Sequence, residues 1–283
     1  MRLALLVSYD GANYRGWTDL RDLALRPALA KVLRLDDESP PLLQAASRTD
    51  AGVHAAGQVC SLTLDDSSGA SSSSANIDCG QIAYSLNQLL PAAISVRVAK
   101  VVDDGFDVRA NSGKTYVYRL STRAGSRDPL RRLYEWHQPP RRGQSPWDAA
   151  AVSETAMQLC GTHSFAAFGN RPRGGERNVE VDPICTLSEL RLEEAASGDG
   201  FEVDDSSGLW RFTVRGDRFL YKQVRNMVGA LVKVGYGELS TEEVLEARET
   251  GKFARGDSIP LTAPAHGLTL QRVEYESDPF AMD

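Results

Sequence analysis

The stretch from Ala46 to Val59, Ala-Ser-Arg-Thr-Asp-Ala-Gly-Val-His-Ala-Ala-Gly-Gln-Val, restricts the fold of this chain more than any other. An apolar pair, Leu42-Leu43, precedes it, and a strand-like run, Val59 to Leu64, follows it. Between them lie Arg48, Thr49, Asp50, Gly52 and Gly57, which is loop chemistry, because glycine permits backbone conformations and close approaches that other residues resist. Asp50 is therefore expected to project from a loop held by strands on both sides, the arrangement in which rigid scaffolds present functional groups. An isolated aspartate in such a loop more commonly caps a turn through its own backbone. Its role has to be decided by the rest of the chain.

The flanking pattern predicts an α+β domain. Leu3 to Val7 reads as a buried strand ended by the turn residues of Tyr9-Asp10-Gly11-Ala12-Asn13-Tyr14-Arg15-Gly16-Trp17. A helix follows, with Asp22 as its cap, Leu25, Leu29, Val32 and Leu33 on one face, and Pro27 near a start or at a kink. Gly69 to Ala75 is serine-rich and reads as a surface insertion. Asp78 then caps a helix carrying Ile82, Leu86, Leu89 and Leu90, which ends before Pro91. Ile94 to Val101 alternates as a strand should. Two β-α-β stretches in succession suit an antiparallel sheet with helices on one face, as in RNA-recognition-like (RRM-like) domains.

The second half repeats the mixture. Gly113 to Leu120 is a strand of alternating aromatic and apolar residues containing Tyr116. That strand also carries Arg119, and Arg123, Arg127, Arg131, Arg132, Arg141 and Arg142 follow it, interleaved with Tyr134, Trp136 and His137. Trp147 to Leu159 is expected to be helical, started at Ser145-Pro146. Arg171 to Asn178 is a basic, glycine-containing loop. Strands are expected at Ile184–Leu192 and Leu209–Arg215, and a helix whose apolar stripe is Leu220, Val224, Met227, Val228 and Leu231. Helical periodicity alone leaves Arg225 beside that stripe as a surface residue. Domains are expected over 1–108 and 109–283.

Charge bears on the partner. The chain carries a net −6, yet residues 109 to 142 hold nine basic residues against Asp128 and Glu135, and residues 207 to 235 hold six against Asp217. Phosphate binding responds to the local field and not to the average, so a basic surface on an acidic body is compatible with RNA. The cysteines, Cys60, Cys79, Cys160 and Cys185, are widely spaced, which favours reduced thiols over disulfides or zinc ligands. No apolar run is long enough for a membrane span, and the opening residues lack the features of a signal peptide.

Arg48-Thr49-Asp50-Ala51-Gly52-Val53-His54-Ala55 resembles the catalytic signature of the TruA family of tRNA pseudouridine synthases. Four more blocks are similar to family motifs: Tyr9 to Trp17, Lys114-Thr115-Tyr116-Val117-Tyr118, Gly161 to Phe168, and Phe219-Leu220-Tyr221-Lys222-Gln223-Val224-Arg225-Asn226-Met227-Val228-Gly229. The closing Ala263 to Leu270 block also resembles the family, so the likeness runs nearly the whole chain. Four departures stand out: Thr18-Asp19-Leu20-Arg21 after Trp17 where glutamines are usual, Ser47 in place of glycine, Ser164 in the Gly161 to Phe168 block, and Gln223 where a residue such as methionine is usual, read here as a small change at the helix surface. The resemblance implies the pseudouridine synthase fold, two RRM-like subdomains whose antiparallel sheets form one extended sheet around a central RNA-binding cleft. It implies isomerisation of uridine to pseudouridine at positions 38 to 40 in the anticodon arm of tRNA, by a homodimer. It assigns the catalytic roles to Asp50, to Arg225 as its ion-pair partner and to Tyr116 as the ring that stacks on the extracted uracil. Arg48 would fill the space the base vacates, and Arg119, Arg123, Arg127, Arg131, Arg171 and Lys222 would contact RNA. A cytoplasmic location is expected, or an organellar or nuclear one in a eukaryote.

The chemistry agrees with these residue types. The reaction breaks the N1–C1′ bond, turns the uracil and joins C5 to C1′, with no redox change and no group donor, so no cofactor and no metal are expected. It needs a carboxylate near the sugar or the base. A cation beside that carboxylate keeps it ionised away from water. A flipped base regains about 1–3 kcal/mol by stacking on an aromatic face. Whether the carboxylate attacks the sugar, attacks the ring or takes a sugar proton is left open by the sequence. Two other readings exist: a catalytically silent tRNA-binding protein or RNA chaperone of the same fold, and another enzyme built on a single carboxylate. The joint presence of Asp50, Tyr116 and Arg225 weighs against the first. The order Thr-Asp-Ala-Gly without a second copy weighs against an aspartic-protease pairing.

Overall fold

The computed structural model describes residues 1–35, 42–64, 78–125, 127–170, 181–195, 208–254 and 261–281. The expected serine-rich insertion, the acidic runs at 36–38 and 65–66 and the loop containing Arg171 lie outside them. In chain order the elements are β1 (Arg2–Tyr9), α1 (Trp17–Leu20), a π-helical turn (Arg21–Leu25), α2 (Arg26–Leu33), β2 (Gln44–Ala45), β3 (His54–Thr63), α3 (Cys79–Leu89), β4 (Ile94–Val102), β5 (Gly113–Ser121), β6 (Trp136–His137), α4 (Ala149–Leu159), β7 (Gly161–Ser164), β8 (Ile184–Glu194), β9 (Leu209–Gly216), α5 (Gln223–Gly235), α6 (Thr241–Thr250) and β10 (Leu268–Glu274). The fold is α+β. The chain divides into two compact units, residues 1–113 with 269–283, and residues 114–268.

In the first unit β1 lies between two antiparallel neighbours, with Leu5 opposite Cys60 of β3 and Ala99 of β4. Flanked on both edges, β1 buries Leu3, Ala4, Leu5 and Val7, which explains its near-continuous apolar sequence. The last strand, grouped by the sequence with residues 109–283, adds to this unit instead, Thr269 and Leu270 pairing parallel with His54 and Ala55 of β3. A parallel partner of such remote origin leaves no local signal.

The helices depart from expectation where tertiary contacts intervene. Asp22 is not a cap: helix already begins at Trp17, and Asp22 sits inside it, bonded to Arg21 and Arg26. The π-turn, in which the Arg26 N–H reaches the Arg21 carbonyl, immediately precedes Pro27, which stands in the first turn of α2. Leu25 and Leu29 are fully buried as expected, whereas Val32 and Leu33 are only half-buried. Asp78 does cap α3, accepting from the Gln81 N–H. Ile82 and Leu86 face the core, but Leu89 is 41% exposed.

In the second unit β5, β9 and β8 run antiparallel in that order, with Tyr116 opposite Val214 and Leu190 opposite Val214 on the far side. Short β7 extends β8. Helix α4 packs on β8 and α5. Its cap is Asp148, which accepts from the Ala151 N–H, and not Ser145. Trp147, just before that cap, packs between Trp210 and Tyr236 and leaves no room for a side chain at Gly235. Leu220 lies in the turn before α5, since the helix starts only at Gln223. Among the described residues no helix is long and apolar enough to cross a membrane.

Candidate active site

The loop bearing Asp50 is held by main-chain bonds on every side. The Trp17 N–H donates to the Thr49 carbonyl, the Gly52 N–H to the Tyr14 carbonyl, and the Val53 N–H to the carbonyl of Asp50 itself. The last bond closes a four-residue turn whose third residue, Gly52, has φ 77°, a position that favours glycine. Two buried side chains brace the entry to the loop. The Tyr9 hydroxyl is 2.7 Å from the Thr49 hydroxyl, and Gln58 Nε2 donates to the Ser47 carbonyl at 2.7 Å. Asp50 is half-buried and Arg48 exposed, while Thr49 between them is buried.

The Tyr9 to Trp17 segment serves as the cradle of this loop. A Cβ at Gly11 would stand 2.0 Å from the Val53 carbonyl oxygen, and one at Gly16, itself at φ 104°, would stand 2.8 Å from the Thr49 carbonyl oxygen. Both glycines are required by close backbone approach. Buried His54 has its Nδ1 3.1 Å from the Gly11 nitrogen and 3.1 Å from Asp10 Oδ1, tying the two segments at a second point. The serine at position 47 brings no strain, because its φ is not positive.

In the second unit, Tyr116 is buried on β5 with its ring edge-on to Phe219, centroids 5.3 Å apart and planes at 87°. This fixes the plane of the Tyr116 ring. Arg225 stands in the first turn of α5, and its Nε donates to the Ala263 carbonyl at 2.8 Å while the Ala263 N–H returns a bond to the Arg225 carbonyl. The same strap receives the Tyr118 hydroxyl at the Pro264 carbonyl, 2.8 Å away. Burial drives the Tyr118 hydroxyl pKa well up, and the charge of Arg225 opposes that rise.

The remaining basic residues separate into two groups. Arg127 and Arg132 are exposed, and Arg119 lies half-buried on β5 directly opposite Arg211. Lys222 adopts φ 63° before α5, with its ammonium 5.2 Å from the centroid of the Tyr221 ring. Arg131, by contrast, is engaged with Asp128 and Glu135. Burial raises the pKa of Glu135, while Arg131 and then Arg123 pull it down. Arg131 thus faces a buried carboxylate of its own chain.

Several residues that position this site carried no local signal. Asn226 is fully buried, and its Nδ2 donates to the Phe168 carbonyl at 2.6 Å and to Asn170 Oδ1 at 2.7 Å. Its Oδ1 accepts from the Thr262 hydroxyl at 2.7 Å, which anchors the strap that holds Arg225. Gln223, expected at the helix surface, is 1% exposed. Its Oε1 accepts from the Leu220 N–H, so the amide replaces a helix cap where an apolar side chain could not. Among the described residues no three of His, Cys, Asp and Glu are grouped to hold a metal ion.

Comparison with known proteins agrees with this arrangement of motifs. The family described as tRNA pseudouridine synthase matches residues 155–276. The tRNA pseudouridine synthase A 1 of Desulfotalea psychrophila is 34% identical over 277 residues, covering 96% of this chain and 99% of that protein. The tRNA pseudouridine synthase A of Chlamydia pneumoniae is 34% identical, covering 98% and 92%, and that of Cutibacterium acnes is 34% identical, covering 98% and 90%. Similarity at this level over at least 90% of each chain leaves one conclusion: the chain belongs to the tRNA pseudouridine synthase A family of isomerases.

Proposed function

We propose that this chain converts uridine to pseudouridine in the anticodon arm of tRNA, at positions 38 to 40, with Asp50 as the essential carboxylate. The observation that carries the reading is the construction of the Asp50 loop. Its backbone is bonded at Thr49, Asp50 and Gly52, and braced through Ser47 and the Thr49 hydroxyl, far more restraint than a solvent turn needs. A carboxylate held this way loses little freedom when a nucleotide docks, which is what an oriented catalytic group requires. In this reading Arg225 pairs with Asp50 and keeps it ionised, and Tyr116 offers the ring face for the uracil. Arg48 fills the gap left in the RNA stack, a role suited to a planar, exposed cation. Arg119, Arg127 and Lys222 meet the phosphates, and Arg171 belongs to the same proposal. The protein acts as a homodimer in the cytoplasm, and sedimentation tests the dimer.

The decisive experiment incubates the full chain with unmodified tRNA and maps pseudouridine by chemical probing. Asp50→Asn is expected to bind tRNA with unchanged affinity and to convert none of it. Conversion by that variant at the rate of the parent removes Asp50 from the mechanism.

A further inference from the structure

The segment Arg127 to Glu135 is built as a rigid outward-facing surface. The Arg131 N–H donates to the Asp128 carbonyl, the Tyr134 N–H to the Arg131 carbonyl, and the Leu130 N–H to Asp128 Oδ1. Arg131 turns inward, 17% exposed, with Nη1 3.4 Å from Glu135 Oε2 and Nε 3.5 Å from Asp128 Oδ2. Glu135 is 9% exposed, and the next two residues, Trp136 and His137, pair with β5. The inward ion pair thus pins a run of turns to the sheet. What projects outward is Leu130, 65% exposed, Tyr134, 43% exposed, and the cations Arg127 and Arg132. Leu130 and the Tyr134 ring therefore stand at the surface in the same short segment as Arg127 and Arg132.

We infer that this surface is a docking platform for tRNA, in which Tyr134 stacks on an unpaired base, Arg127 and Arg132 hold the adjoining phosphates, and the Arg131–Glu135 pair serves as a clamp that touches no RNA. The inference rests on tRNA being the substrate. It reassigns Arg131 from an RNA contact to an internal partner of Glu135. RNA is the occupant the chemistry selects, because the exposed cations Arg127 and Arg132 outnumber the one exposed acid of the segment, Asp128, while aromatic rings beside arginines are the usual receivers of splayed bases.

The test measures binding of an unmodified tRNA transcript to the full chain over a range of salt. Arg127→Ala with Arg132→Ala is expected to weaken binding and to reduce the slope of log K against log salt by about 1.5, near 0.7–0.9 for each phosphate no longer neutralised. Tyr134→Ala is expected to weaken binding roughly five- to 150-fold with the slope unchanged, and Tyr134→Phe to restore it. Glu135→Gln is expected to weaken binding as well, and its effect should shrink when Arg127 and Arg132 are already alanine, as coupled residues require. Parent-like affinity and slope in the double-arginine variant and in Tyr134→Ala overturn the platform. So does a change of sedimentation mass with tRNA binding intact, which would hand the surface to a second copy. Conversion of tRNA by the unsubstituted protein, measured in parallel, separates the two proposals: if it converts tRNA while these variants bind normally, only the platform fails.

Discussion

Replacing Gly229 by alanine sets a local gain against a tertiary loss, and the structure decides which prevails. Glycine inside a helix is about 0.8–1.0 kcal/mol less favourable than alanine, so propensity alone predicts that Gly229→Ala stabilises α5. A Cβ there would lie 1.9 Å from the Leu261 carbonyl oxygen and 2.7 Å from its carbon, both backbone atoms. The strap Leu261–Pro264 would have to retreat by about 1 Å. Overpacking of this kind costs about 1–3 kcal/mol. The retreat also strains three bonds: Arg225 Nε to Ala263, Ala263 N–H to Arg225, and Tyr118 to Pro264, each contributing about 1 kcal/mol. The loss exceeds the gain, and a net destabilisation of about 2–4 kcal/mol is expected. Urea unfolding monitored by circular dichroism measures it. Because the strap orients Arg225, the role proposed for that residue predicts that tRNA conversion falls by about a hundredfold, the penalty for a catalytic group displaced by about 1 Å. A variant that unfolds at higher urea than the parent, with activity intact, would refute the close approach and the role given to the strap.

Three further outcomes follow from the same geometry. Gln58→Ala removes the amide that holds the Ser47 carbonyl and should cost about 1–3 kcal/mol in urea unfolding, lowering conversion more than it weakens tRNA binding. Arg21, through its hydrogen bond, and then Arg26 hold the Asp22 carboxyl at about 2, below its ordinary 3.8. Its stabilising contribution is therefore complete above pH 3.8 and disappears as pH falls through 2, and Asp22→Asn should flatten that part of the stability–pH curve. Alkylation of the native protein at about pH 8, read by peptide mass, should label Cys79 first and spare Cys60 and Cys185. Both of the latter are buried, and burial pushes the Cys185 thiol up to about 11 and the Cys60 thiol higher still.

Where residues act through near neighbours, the sequence was readable. The Asp78 cap lies three residues from the N–H it satisfies, and the Asp50 turn is complete within Asp50 to Val53. Helix α6 could have been read as well, since Ser240 and Glu243 form a reciprocal capping box at the standard spacing. Gln223 and Asn226 were opaque for the opposite reason. Their helical positions suit either solvent or core, and the partners that decide, Cys185, Phe168, Asn170 and Thr262, are 36 to 58 residues away. Composition also could not show which members of the arginine-rich segment turn inward: Arg131 does, with Nη1 3.4 Å from the buried Glu135 carboxylate.

By itself the chain displayed its family motifs and its local frames: which loop bears Asp50, which strand bears Tyr116, which helix bears Arg225. Those depend on residue identity and on contacts within a few positions. Tertiary structure alone decided that the last strand adds to β3, that Pro264 and Ala263 hold Tyr118 and Arg225, and that Arg131 turns inward while Tyr134 turns out. Each of these is settled by burial and by hydrogen bonds between remote segments, whose free energy exists only once those segments share the same dry space.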